Sequence, residues 1–225
     1  MITKNNVTEK FYELGRSKIF LIAIILNLIS IPLSALNICT SLLSCANEYI
    51  ATRGTDVYYT DLIYEISALA VSLLSGICLL RLYLSFKNKA PNANLLRRLF
   101  IYEIIVNALS FIYHLSPLVT RRGESEYSLF FAIWPYLMLS VLAIGLIILL
   151  LERKTIKLAV ALIEHDVNSI IKYKASNALV VFLVFSYFFT LVRLDFPMAL
   201  PGFAAYSLFI YVLISFCAIS HKIHK

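Results

Sequence analysis

Charge is what this chain has least of. Only 15% of its 225 residues are Asp, Glu, Lys or Arg, whereas 60% are hydrophobic. A soluble domain carries about 25% charged and 45–50% apolar residues. That shortfall excludes a soluble domain of ordinary composition. The apolar excess comes in blocks near 20 residues, the length that crosses a hydrocarbon core. Cysteine is also scarce. The four present, Cys39, Cys45, Cys78 and Cys217, form no CxxC pair. Three of them lie inside apolar blocks, where free cysteine behaves as a small hydrophobe. Neither a disulfide framework nor a zinc site is expected. The sequence has no HExxH, GxSxG, phosphate-binding loop or paired-Asp membrane-protease pattern. No catalytic residue, metal or cofactor is therefore assigned. Fixed-period repeats and low-complexity segments are absent as well.

What is present reads as an all-α, polytopic transmembrane helix bundle. Six apolar blocks run over 19–43, 62–86, 97–119, 129–151, 178–195 and 199–220. The last two are separated by "DFPMALPG", with Pro197, Pro201 and Gly202, a tight turn. They are read as two spans rather than one span and a re-entrant hairpin. The organisation that follows has four parts: an amphipathic cytoplasmic N-terminal segment (1–18), a four-span bundle (19–151), an amphipathic cytoplasmic or interfacial helix (152–177), and a two-span hairpin with a short basic tail (178–225). The apolar run after residue 18 is long for a cleaved signal peptide. "SLLSC", ending at Cys45, loosely matches a lipoprotein cleavage site, but the run is span-length and is read as a span.

The net charge is +7, and its placement is informative. One set of segments holds Lys4, Lys10, Arg16, Lys18, Lys87, Lys89, Arg97, Arg98, Arg153, Lys154, Lys157, Lys172, Lys174, Lys222 and Lys225. The alternate segments hold only Arg53, Arg121, Arg122 and Arg193. The positive-inside rule then places both termini in the cytoplasm. Basic residues so placed serve topology and anionic headgroups, not nucleic acid. Short loops and a simple charge bias suit a bacterial inner membrane.

Candidate functional residues lie on polar stripes. In "RRLFIYEIIVNALSFIYHLSP" (97–117), Glu103, Asn107, Ser110 and His114 share one helix face, within about 60° of one another. The first span carries Asn27, Ser30, Ser34, Asn37 and Ser41 on one side; the second carries Asp61, Glu65, Ala68, Ser72 and Gly76. In lipid, helices associate through small residues and interhelical hydrogen bonds, so such stripes are packing seams first. Ionisable groups at that depth need partners. Two constellations are expected. Arg81 and Glu103, near the same end of consecutive spans, form an inner ion pair. Glu65, His114 and Arg193 form an outer charged cluster.

Two further segments are amphipathic. Ile156, Val160, Ile163, Val167 and Ile170 make a helical stripe opposite Lys154, Lys157, His165, Asn168 and Lys172. This basic helix is expected to lie on the inner leaflet or to dock a partner. Val7, Phe11 and Leu14 line one side of an N-terminal helix that stops at Gly15. "EHD" (164–166) is read as a solvated polar face, because adjacent helical residues diverge by about 100°. The expected function is non-enzymatic: an integral membrane protein that binds lipid, another membrane protein or a second copy, as a complex subunit or an immunity-type protein. The alternative is a small proton- or ion-linked transporter or channel that uses the third-span stripe as its relay.

Overall fold

The computed structural model describes residues 4–51, 59–120, 129–192 and 200–223. Among them every regular element is a helix: α1 (Lys4–Leu14), α2 (Lys18–Ala51), α3 (Tyr59–Lys87), α4 (Ala93–Thr120), α5 (Leu129–Glu164), α6 (Val167–Lys172), α7 (Ala178–Val192) and α8 (Leu200–Ile223). Three helical stretches are long and apolar enough to cross a membrane: Lys18–Ser44, Ile63–Lys87 and Leu200–Ile219.

Their surfaces invert the soluble pattern. On α2, Ile22, Ile25, Ile29, Leu36 and Leu43 all point outward, exposed by 45–65%. On α3, Ile63, Ile66, Ile77 and Leu84 do the same. A stripe of large apolar side chains facing out over the length of two helices is a solvent mismatch in water and a match in lipid. The polar residues of α2 turn inward instead: Asn27 and Ser30 are buried. Pro32 lies inside α2 without ending it, as membrane helices tolerate. Around it, Ser30 Oγ donates to Asn27 O at 2.7 Å and Ser34 Oγ donates to Ser30 O at 2.9 Å.

The helices close into a ring. α2 packs on α3, α3 on α4, α4 on α5, α5 on α8, and α8 back on α2, with α7 outside against α5 and α8. Directions follow from which residues meet. Phe20 stacks on Phe86, Gly76 abuts Asn27, and Asn37 bonds Glu65, so α2 and α3 are antiparallel. Arg97 meets Glu164, which sets α4 against α5. Phe20 also meets Phe209, and Ser30 meets Gly202, so α8 runs opposite to α2 and alongside α5.

The large buried side chains gather where α1, the α3–α4 turn and the end of α5 meet. Phe11, Phe20, Leu82, Phe86, Leu96, Leu158 and Leu162 are fully buried there. Phe11 sits between Phe86 and Phe216, with ring centroids at 5.1 and 4.4 Å. The chain leaves α1 at Gly15, whose Cα lies against backbone. An added Cβ would stand 2.7 Å from Lys87 N and 2.9 Å from Phe86 C.

Two helix ends use the same device. Lys89 and His165 both have φ 57°. After each, the next amide reaches back: Ala90 N to Ser85 O at 2.9 Å and Asp166 N to Ala161 O at 3.0 Å. This is the Schellman ending, with a left-handed residue past the last helical one. Asp166 then caps α6, its carboxyl accepting from Ser169 N. That break corrects the expected stripe over 156–170. Ile156 and Val160 are buried in α5, and Ile170 is buried in α6, but Val167 is 62% exposed just past the break. The 152–164 stretch is also not a surface helix. It continues α5 without interruption, and Thr155, Leu158, Ala159, Ala161 and Leu162 are buried with Ile156 and Val160. Its basic residues Lys154 and Lys157 occupy a narrow exposed strip.

Candidate functional site

The third-span stripe lies on α4, which packs on α5. Of its four members, Glu103 and Asn107 are described in full; the side chains of Ser110 and His114 lie outside the described residues. The two described members close on each other. Asn107 Nδ2 donates to Glu103 O at 2.9 Å and to Glu103 Oε1 at 3.0 Å. This is a local i, i+4 contact, which a helix surface makes available to any such pair.

The inner pair does not form. Arg81 is exposed on α3, and among the described residues the ion pairs are Lys10–Glu13, Lys89–Glu9 and Arg97–Glu164. The reason lies in helical phase. Leu82, Leu79 and Cys78 take the buried face of α3, and Arg81 falls beside it. The outer cluster is only partly visible, because Arg193 and the side chain of His114 lie outside the described residues. Glu65 takes a partner from a different helix: Asn37 Nδ2 on α2 donates to its Oε1 at 2.8 Å. Both residues belong to the polar stripes of the first two spans, and the antiparallel α2–α3 pair brings those stripes face to face.

A further carboxylate, not among the residues expected from the sequence, is fully buried. Glu152 on α5 is 0% exposed. Tyr206 Oη on α8 donates to its Oε2 across a long 3.4 Å. Its other oxygen, Oε1, is buried with no hydrogen-bond partner among the described residues. The charge of Glu103 reaches both Glu152 and Tyr206. The Glu152 carboxyl and the Tyr206 phenol thus meet between α5 and α8, and the partly buried Glu103 stands nearby on α4, which packs on α5. The sequence signal for Glu152 was available. It continues the buried row Ile148–Glu152–Ile156 at i, i+4 spacing. As the first charge after an apolar block, however, it reads as a membrane-end anchor.

Away from the ring, the "EHD" residues do not share a helix but straddle the break between α5 and α6, and each has a separate structural task. Glu164 binds Arg97 Nη2 at 2.7 Å, His165 ends α5, and Asp166 caps α6. The Ser169 side chain and then its amide hold the Asp166 carboxyl below the usual carboxylate range. Among the described residues no three His, Cys, Asp or Glu converge as a metal site.

Fold and site together define a class, the helical membrane protein. Compared with known protein families, curated proteins and solved structures, the chain matches none.

Proposed function

We propose that the chain is a six-span integral membrane protein of a bacterial inner membrane, with both termini in the cytoplasm. It works without catalysis, by binding a lipid or another membrane protein within or at the bilayer. The observation that carries this reading is the division of surfaces on α2 and α3. Their outward faces are lined by large apolar side chains, while Asn27, Ser30, Asn37, Glu65 and Gly76 meet neighbouring helices. The alternation of direction through α2, α3, α4 and α5 supports the span order. The segregation of Lys and Arg supports the orientation.

Extraction of native membrane into polymer-bounded lipid discs, followed by native mass spectrometry, tests the binding claim. A reproducibly retained lipid or protein is expected. A bare monomer in every preparation counts against it. Reporter fusions after residues 52–58, 121–128 and 193–199 test the topology, and all three are expected on the outer side.

A second reading, a small proton- or ion-linked carrier, is favoured by one observation: a fully buried carboxylate, Glu152, beside a second one, Glu103. Ion flux into proteoliposomes tests it. Absence of pH- or ion-driven flux removes this reading and leaves the first in place.

A further inference from the structure

We propose that Glu103, Glu152 and Tyr206 form a buried site for one small monovalent cation, a proton or an alkali ion. The two occupants share one chemistry, a single positive charge held by carboxyl oxygens.

Three observations meet here. Glu152 is completely buried, and its Oε1 has no partner among the described residues. Its Oε2 is fixed by the Tyr206 hydroxyl at 3.4 Å. Glu103, whose Oε1 accepts from Asn107 Nδ2 at 3.0 Å, lies near enough for its charge to act on Glu152.

Among the described residues no positive group answers them: on α4 Arg97 is held by Glu164 and Arg98 is exposed, and the described side chains of α8 hold no cation. On α5 itself Arg153 and Lys154 are exposed, whereas Glu152 is fully buried. The described side chains of α7, residues 178–186, include no titratable group. α1 spends its charges elsewhere, Glu9 on Lys89, Lys10 on Glu13 and Arg16 on the Tyr12 ring. The α6 end meets α5 further along, where Tyr173 takes Lys157 at 3.4 Å. Two carboxylates near one another repel, and the fully buried one, Glu152, also loses its hydration. A positive guest relieves both costs. Calcium takes six to eight oxygens, and magnesium demands a rigid octahedral shell and dehydrates reluctantly; a proton needs a single oxygen, and an alkali ion tolerates an irregular shell. One proton or one alkali ion fits the donor set.

Infrared difference spectroscopy on the full chain in lipid nanodiscs tests this, with pH and sodium varied independently. A titrating carboxylic C=O band that ignores sodium identifies a proton as the guest. A band whose midpoint moves about one pH unit per tenfold change in sodium identifies competition with an alkali ion, the arithmetic of two ligands on one site. Either band is expected to vanish in Glu152→Gln and to weaken or shift in Glu103→Gln. Should Glu152→Gln fail to fold, Tyr206→Phe decides, because it removes one hydroxyl from an aromatic ring. A shifted midpoint supports the site and an unchanged one overturns it. A wild-type protein with neither a titrating carboxyl band nor sodium binding also overturns it. The site does not require transport. Cation binding without flux removes only the carrier reading, and loss of the site leaves the lipid- or partner-binding reading standing.

Discussion

Replacing Phe11 by alanine tests what holds the N-terminal helix under the bundle. Phe11 is 0% exposed and touches rings from α3 and α8. Truncating a fully buried Phe costs about 3–5 kcal/mol, as lost transfer energy plus a cavity. The other anchors of α1 are weaker. The Glu9–Lys89 ion pair is about half exposed on both sides, and such pairs contribute about 0.2–1 kcal/mol. The cations over Tyr12, Arg16 at 4.2 Å and Lys89 at 4.8 Å, add about 0.5–1 kcal/mol each at exposed sites. The aromatic insertion therefore outweighs either polar contact several-fold. A loss of about 3 kcal/mol shifts the docked–undocked balance of α1 by more than 100-fold, at about 1.4 kcal/mol per decade. Tryptic cleavage after Arg16, followed in nanodiscs under conditions where opening is faster than cutting, reads that balance directly. Phe11→Ala is expected to speed cleavage by two orders of magnitude or more, and Lys89→Ala, which removes both the ion pair and one cation over Tyr12, by about 3- to 30-fold. Equal rates for the two variants, or a larger effect of Lys89→Ala, would refute the ranking.

The remaining predictions are shorter. Gly15→Ala puts a Cβ 2.7 Å from the backbone nitrogen of Lys87. Backbone cannot step aside, so α1 is expected to undock, with cleavage after Arg16 near the Phe11→Ala rate. Gly76→Ala meets the Asn27 carbonyl oxygen at 2.7 Å and Ile31 Cδ1 at 3.1 Å. Side chains give more readily than backbone, so its thermal destabilisation is expected to be the smaller of the two. Gly145 has nothing within 4 Å of an added Cβ. Gly145→Ala is therefore expected to be neutral, or to stabilise by up to about 1 kcal/mol through helix propensity. The Asp166 carboxyl is held below its ordinary value by Ser169. Its contribution to the α6 cap is thus complete above about pH 4, the unfolded value, and is lost as pH falls through the folded value. Amide exchange at Ser169 should quicken on acidification below that point, and Asp166→Ala should abolish the change.

The helical class was legible because membrane helices are specified by composition over some 20 residues, a signal that survives any error in pairing. The end of α1 at Gly15 was legible for a local reason, the i, i+4 row Val7–Phe11 followed by a residue without a side chain. Pairings between helices were harder. Arg81 and Glu103 were matched by depth alone. Depth does not give rotation, and one step of about 100° moves a side chain from seam to surface. The stripe over 156–170 failed differently. Its spacing was helical throughout, but the chain breaks at His165. The device responsible, a left-handed residue followed by a capping Asp, has a weak signature when the left-handed residue is not glycine. Tyr211 shows the same limit on α8: its spacing from Ser207 and Ser215 puts it on one row with them, yet it is 45% exposed. The buried face of α8 belongs to Ala205, Phe209, Leu213 and Cys217.

A polar residue in a membrane helix carries information according to where its hydrogen bonds go. Ser30, Ser34, Thr155 and Ser215 spend theirs on carbonyls of their own helices. Such groups are satisfied before any neighbour arrives, so they report only that small side chains pack well there. Asn37 and Glu65 bond across two helices, which fixes the register of α2 on α3. Asn27 Oδ1, Glu152 Oε1 and Ser207 Oγ are buried without a partner among the described residues. The Asn27 oxygen lies in the space that a side chain at Gly76 would fill, 2.7 Å from an added Cβ. Glu152, unlike Asn27 or Ser207, can carry a full charge. By this ordering the stripe on α4 is less a path than it first reads, since Asn107 folds back on Glu103. The group whose chemistry is left open is the carboxylate opposite it on α5.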